Sequence, residues 1–160
     1  MRKNNSSFII RIVSAFLLLV MFVPINANAS SRMVLQPKAS EYLSTYGAYI
    51  YPAGNGKVQV WFDVEGTDYM DEIGCLSIQI YECSNNSNDI NDWTWKDTFK
   101  HNTTSGMLSY NDDFHNGYVQ YNGTVGKWYK AYVCVWAGKD GGGDTRYFWT
   151  YGRQATAQAA

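Results

Sequence analysis

"KVQVWFDVE", residues 57–65, places Val58, Val60, Phe62 and Val64 on one parity and Lys57, Gln59, Trp61, Asp63 and Glu65 on the other. A period of two sustained over a whole segment marks a strand with one face in a core and the other outward. "IGCLSIQIYE" (73–82) continues the pattern with Leu76, Ile78 and Ile80 together. "WYKAYVCVWAG" (128–138) sets Tyr129, Ala131, Val133, Val135 and Ala137 against Lys130, Tyr132, Cys134 and Trp136.

Working outward, the runs are separated by clusters of Gly, Asn, Asp and Ser: "PAGNGK", "GTDYMDE", "SNNSNDIND", "NDDFHNG", "NGTVGK" and "GKDGGGD". Such clusters punctuate short strands, and beyond the first 29 residues no long segment holds a helical period. The pattern predicts an all-β chain, an antiparallel sandwich of about seven strands. The predicted strands are A (Tyr46–Tyr51), B (Lys57–Glu65), C (Ile73–Glu82), C′ (Trp93–Phe99), a short D (Met107–Tyr110), E (Tyr118–Asn122), F (Tyr129–Ala137) and G (Thr145–Tyr151).

The N-terminus carries Arg2, Lys3 and Arg11, an apolar run from Ala15 to Val23, and the small-residue signal Ala27-Asn28-Ala29. This reads as a secretory signal peptide over residues 1–29, too short in its apolar part for the roughly 20 residues of a spanning helix. Residues 30–44 then form an N-terminal extension, 45–152 the sandwich, and 153–160 a frayed tail. Loss of the leader removes three of 13 basic residues and none of 14 acidic ones, leaving a formal charge of −4. Without clustered Lys and Arg the chain lacks the electrostatic footprint of a nucleic-acid binder. The expected product is secreted and extracellular, with no stable membrane span. Asn85, Asn102 and Asn122 stand in glycosylation sequons.

The order of faces resembles a fibronectin type III or immunoglobulin-like sandwich. The residues that carry the resemblance are "VQVWFD" in B, "YKAYVCVWA" in F with Tyr129 near its start, and the Gly-rich F–G hairpin. The family's core-facing Trp on strand B is Phe62 here, and Trp61 has the opposite parity. The resemblance implies that C and F are antiparallel neighbours and that the B–C, D–E and F–G loops emerge at one end. The chain also resembles a family of small secreted proteins of Gram-positive bacteria carrying "GNGKVQVWFDVEGT", "MDEIG" and "KAYVCVWAGKDGGGDTR" in similar form. That likeness implies secretion and brings no activity with it.

Three cysteines cannot all pair within one chain. Cys75 and Cys83 lie eight residues apart on one strand, at about 3.3 Å each, well beyond the reach of a disulfide. With C beside F, a Cys75–Cys134 bridge is in reach. Free thiols, a Cys83–Cys134 bond and an intermolecular bond are the alternatives.

Three kinds of site follow. Trp61, Tyr132 and Trp136 fall on the polar parity of their strands, where a flat ring can stack against a sugar, although aromatic residues also pair across ordinary sheets. At the loop end, Asp68, Asp71, Glu72, Asp112, Asp113, Asp140 and Asp144 would gather, enough oxygen for Ca²⁺ but without the spacing of an EF-hand loop. "WAGKDGGGDTRYFWT" (136–150) is no P-loop, because Lys139 precedes its glycines and a strand follows. A hydrolase could draw on Asp112 or Asp113, His115 and a Ser, but no catalytic motif fixes such a set. The reading is a non-enzymatic binding module without an obligate cofactor, its partner an extracellular glycan or protein.

Overall fold

The computed structural model describes residues 34–35 and 40–160. The expected leader, its expected cleavage site and most of the expected N-terminal extension lie outside the described residues. The chain is all-β, with strands β1 (Val34–Leu35), β2 (Leu43–Gly54), β3 (Lys57–Cys83), β4 (Thr94–Lys100), β5 (Leu108–Asn122), β6 (Trp128–Lys139), β7 (Gly142–Trp149) and β8 (Arg153–Gln154). Among the described residues one 3₁₀ turn, Ile90–Asp92, interrupts the β structure, capped by the Asp89 side chain. Every pairing is antiparallel.

The organising element is β3, 27 residues long. Its first part lies between β2 and β5, and its last part between β4 and β6, with β7 and β8 paired to β6. One curled sheet thereby folds its two halves onto a common core. Tyr46 of β2 meets Phe148 of β7 across that core at 5.3 Å between ring centroids, and Tyr121 of β5 meets Tyr129 of β6 at 5.8 Å. Val58, Val60, Phe62 and Val64 are fully buried, as their parity predicts, together with Ile78, Ile80, Tyr129, Ala131, Val133, Val135 and Ala137.

Strands B and C are therefore one strand and not two joined by an acidic loop. The bend lies between Glu65 and Met70, where β3 advances five residues while β5 moves two, from Phe114 to Asp112. Gly66 makes the bend feasible, since a Cβ there would meet the Asp68 carbonyl at 2.8 Å. Strands D and E likewise merge into β5, because "NDDFHNG" keeps pairing with β3.

A register shift between Cys75 and Ser77 changes the core list. Ile73 and Cys75 point inward before it, Ile78 and Ile80 after it, and Leu76 is left outside the buried set. A bulge inserts one residue and so exchanges faces.

The tail, expected to fray, is packed. Arg153–Gln154 pairs with Trp128–Tyr129, and Ala155 is buried in the core. The carbonyls of Thr156 and Ala157 accept from the Gly56 and Asn55 amides at 3.0 and 2.9 Å. Those amides belong to the β2–β3 turn, whose two central residues, Asn55 and Gly56, both have positive φ. Their donors face outward from a hairpin, and the tail supplies the acceptors.

Candidate functional site

The β6–β7 hairpin turns on Asp140 and Gly141, with φ of 52° and 80°, between the paired residues Lys139 and Gly142. This is the Asp-Gly arrangement that a two-residue turn with positive φ at both positions favours. The remaining glycines answer to close approach. A Cβ at Gly142 would fall 2.1 Å from the Tyr42 hydroxyl oxygen, and one at Gly143 only 2.2 Å from the Trp136 ring. At Gly138, which pairs with Gly143, a Cβ would meet the same ring at 2.5 Å.

The Trp136 indole thus lies down along the sheet on a floor of two glycines. No other aromatic ring among the described residues stacks on it, and its Nε1 is buried without a hydrogen-bond partner. Beside it opens a cavity of about 190 Å³, walled by Asp71, Glu72, Lys139 and the hairpin glycines. Asp71 accepts from the Asp140 amide at 2.7 Å, which ties the hairpin tip to the bend of β3.

The other two aromatic candidates sit elsewhere. Trp61 stands in a cross-strand row, 6.4 Å from Tyr49 on β2 and 4.6 Å from Tyr118 on β5, with interplanar angles of 7° and 26°. Both faces of its indole are occupied, as cross-strand pairing favours. Tyr132 packs at 4.8 Å on Trp149 and 5.8 Å on Tyr147 of β7. The three residues do not converge, and only Trp136 has a ring without an aromatic neighbour.

The acidic residues lie on strands and on the hairpin, and most are already engaged. Lys139 donates to Asp68 at 2.6 Å, holding that carboxyl below the ordinary aspartate range. The Ser109 hydroxyl donates to Asp112 at 2.9 Å with the same effect. Ser40 and the Tyr42 amide lower Asp144, which also faces Arg146 at 3.6 Å. Glu65, Asp68 and Asp113 line a neighbouring cavity of about 320 Å³. Among the described residues no three His, Cys, Asp or Glu side chains stand close enough to share a metal ion.

His115 contacts the Gly106 carbonyl through Nε2 at 2.9 Å and packs against Phe62 at 5.7 Å. No hydrogen bond links it to Ser109 or Asp112 among the described residues. All three thiols are free and buried. The bulge sends Cys75 into the core, where burial raises its pKa, and its Sγ donates to the Cys134 carbonyl at 3.2 Å. Cys134 keeps the outer parity of β6 and lies outside the core cluster, so the two thiols face opposite sides of the sheet. The free-thiol alternative is the one this geometry contains.

Sequence reasoning missed one group of residues. Lys130, on the outer parity of β6, has its ammonium 4.2 Å from the Trp93 ring centroid and 4.8 Å from that of Trp149. Its parity was readable in the sequence, but Trp93 arrives from a loop whose path no local pattern records. No family model, no curated protein and no solved structure matches the chain.

Proposed function

We propose that the protein is a secreted, non-catalytic binding module that takes a glycan against Trp136. The observation that carries this reading is the indole lying flat on Gly138 and Gly143. A pyranose offers a C–H face to such a ring, and its hydroxyls reach the rim, where Asp71 and Glu72 accept and Lys139 donates. The pairing order supports a fibronectin-like arrangement, with β2–β3–β5 as one half and β4–β3–β6–β7 as the other. The leader supports export.

The test is a glycan array probed with the purified protein and its Trp136→Ala and Trp136→Phe variants. Binding should vanish in the alanine variant and survive in part in the phenylalanine variant, with both melting cooperatively. Wild-type-like binding by Trp136→Ala would sink the reading.

A second reading has its own observation. Tyr69, Tyr110 and Phe114 stand exposed around the bend of β3, at 62%, 63% and 44% of their full surface, next to the acidic side chains. A protein partner at that corner would be sensitive to Asp71 and Asp140 changes and to salt, since charge steering is screened over about 10 Å at 0.1 M. Binding to no glycan on the array, with a partner recovered in a salt-sensitive way, would favour it.

A further inference from the structure

At the opposite end of β6 from Trp136 lies a second constellation, built around Lys130. Trp149 holds one side of its ammonium and is itself packed on Tyr132 at 4.8 Å and on Tyr81 at 5.0 Å. Trp93 holds another side; it is 6% exposed and anchored by donation from Nε1 to the Ser87 carbonyl at 3.0 Å. The π faces attract the charge but offer no lone pairs to its three N–H donors.

The Lys130 ammonium makes no hydrogen bond or ion pair with any described residue, whereas Lys96 pairs with Glu82 at 3.5 Å and Lys127 donates to Ser84 at 2.9 Å. The neighbouring acid, Asp89, accepts on Oδ1 from the Asn91 backbone amide and side chain at 2.9 Å each and makes no ion pair with Lys130. Burial lowers the Lys130 pKa and outweighs the opposing influence of Cys83 and Asp89, as for an ammonium that has lost hydration without gaining a directly paired counter-ion.

Lys130 opens onto a cleft of about 220 Å³ between the 86–88 loop and residues 150–152. That volume is several times the share of one water, about 30 Å³, so it holds more than a bare ion. Asn86 and Asn88 bring amide donors and acceptors to its wall, and Tyr151, 56% exposed, stands at its rim. Amides, an aromatic edge and one uncommitted cation together match a sugar ring bearing a carboxylate.

We propose that this cleft binds a uronate unit of an acidic glycan, its carboxylate on the Lys130 ammonium and its hydroxyls on Asn86 and Asn88. The inference rests on the reading of the protein as a glycan binder, at a different place on the same outer face.

The test titrates the purified protein with oligogalacturonate and with the same oligomer fully methyl-esterified, by calorimetry. The acid form should bind, more weakly as salt rises, and the ester about tenfold less well. Lys130→Gln should cost the acid form about tenfold, the scale of one charge-assisted hydrogen bond, while Lys130→Arg keeps most of the affinity. Trp136→Ala should leave it intact. Equal binding of acid and ester, no binding of the acid form at millimolar concentration, or unchanged affinity in Lys130→Gln would overturn the proposal. If acid-form binding disappears in Trp136→Ala but survives in Lys130→Gln, the cleft is rejected and the Trp136 reading stands. If Lys130 proves essential while the array shows no Trp136-dependent glycan, the cleft stands and the platform reading falls.

Discussion

Tyr129 is fully buried, yet its hydroxyl accepts from the Thr124 amide at 2.8 Å and donates to Glu82 at 2.5 Å. Burial, then the bond to Glu82, pushes its pKa up to about 12. Tyr129→Phe removes both bonds and leaves the Thr124 amide and one Glu82 oxygen without this partner, so we expect a loss of about 1–3 kcal/mol in urea unfolding with an unchanged slope. An unaltered midpoint would mean that water replaces the hydroxyl without cost. The place of Tyr129 near the start of a strand is readable from alternation alone. Its partner Glu82, 47 residues away, is not, because cross-strand register is a tertiary property. The three glycines of the hairpin teach the same lesson. Local turn chemistry accounts for Gly141, whereas Gly142 and Gly143 are required by Tyr42 and Trp136 arriving from elsewhere.

Among elements, strand identity was readable wherever one face is buried and the other wet, as in 57–65 and 128–138. It failed at 66–72 and 111–117, where Gly, Asn and Asp stay in strands because each segment finds a partner across the sheet: Phe114 to Gly117 pair with Glu65 to Phe62, Asp112 pairs with Met70, and Gly66 and Glu72 pair with Leu43 and Tyr110. Turn-forming composition loses to long-range pairing in that case. The 75–77 bulge escaped for a related reason: one inserted residue exchanges faces without altering composition, and it separates Cys75 from Cys134. The tail was misread because its sequence is polar and alanine-rich, while its worth lies in backbone carbonyls. Deleting residues 153–160 exposes the site of Ala155 and leaves the Asn55, Gly56 and Gly126 amides without their acceptors. We expect the truncated chain to lose at least about 2 kcal/mol, read as a lower melting temperature. A melt equal to that of the full chain would show the tail to be dispensable.

The molecule as a whole carries its aromatic surplus outside the core, in the Tyr49–Trp61–Tyr118 row and in the group around Tyr132, Trp149 and Lys130. Its carboxylates gather at the corner where β3 bends. Because Asp68, Asp71, Asp112 and Asp144 are committed to Lys139, the Asp140 amide, Ser109 and the Tyr42 amide, millimolar calcium should leave the melting temperature unchanged, with or without chelator. A calcium-dependent rise would restore the metal reading of the loop-end carboxylates. That the carboxylates cluster was readable from their places in the sequence, but which of them are engaged was not, since their partners are amides, a hydroxyl and an ammonium brought up by the fold. The docking of residues 155–157 on the Asn55–Gly56 turn also has a temporal side. A chain that emerges N-terminus first makes the β2–β3 hairpin long before residue 157 appears, so that hairpin waits with open amides until then. The nascent chain therefore stays short of its native state at this turn until residues 156 and 157 arrive to close it.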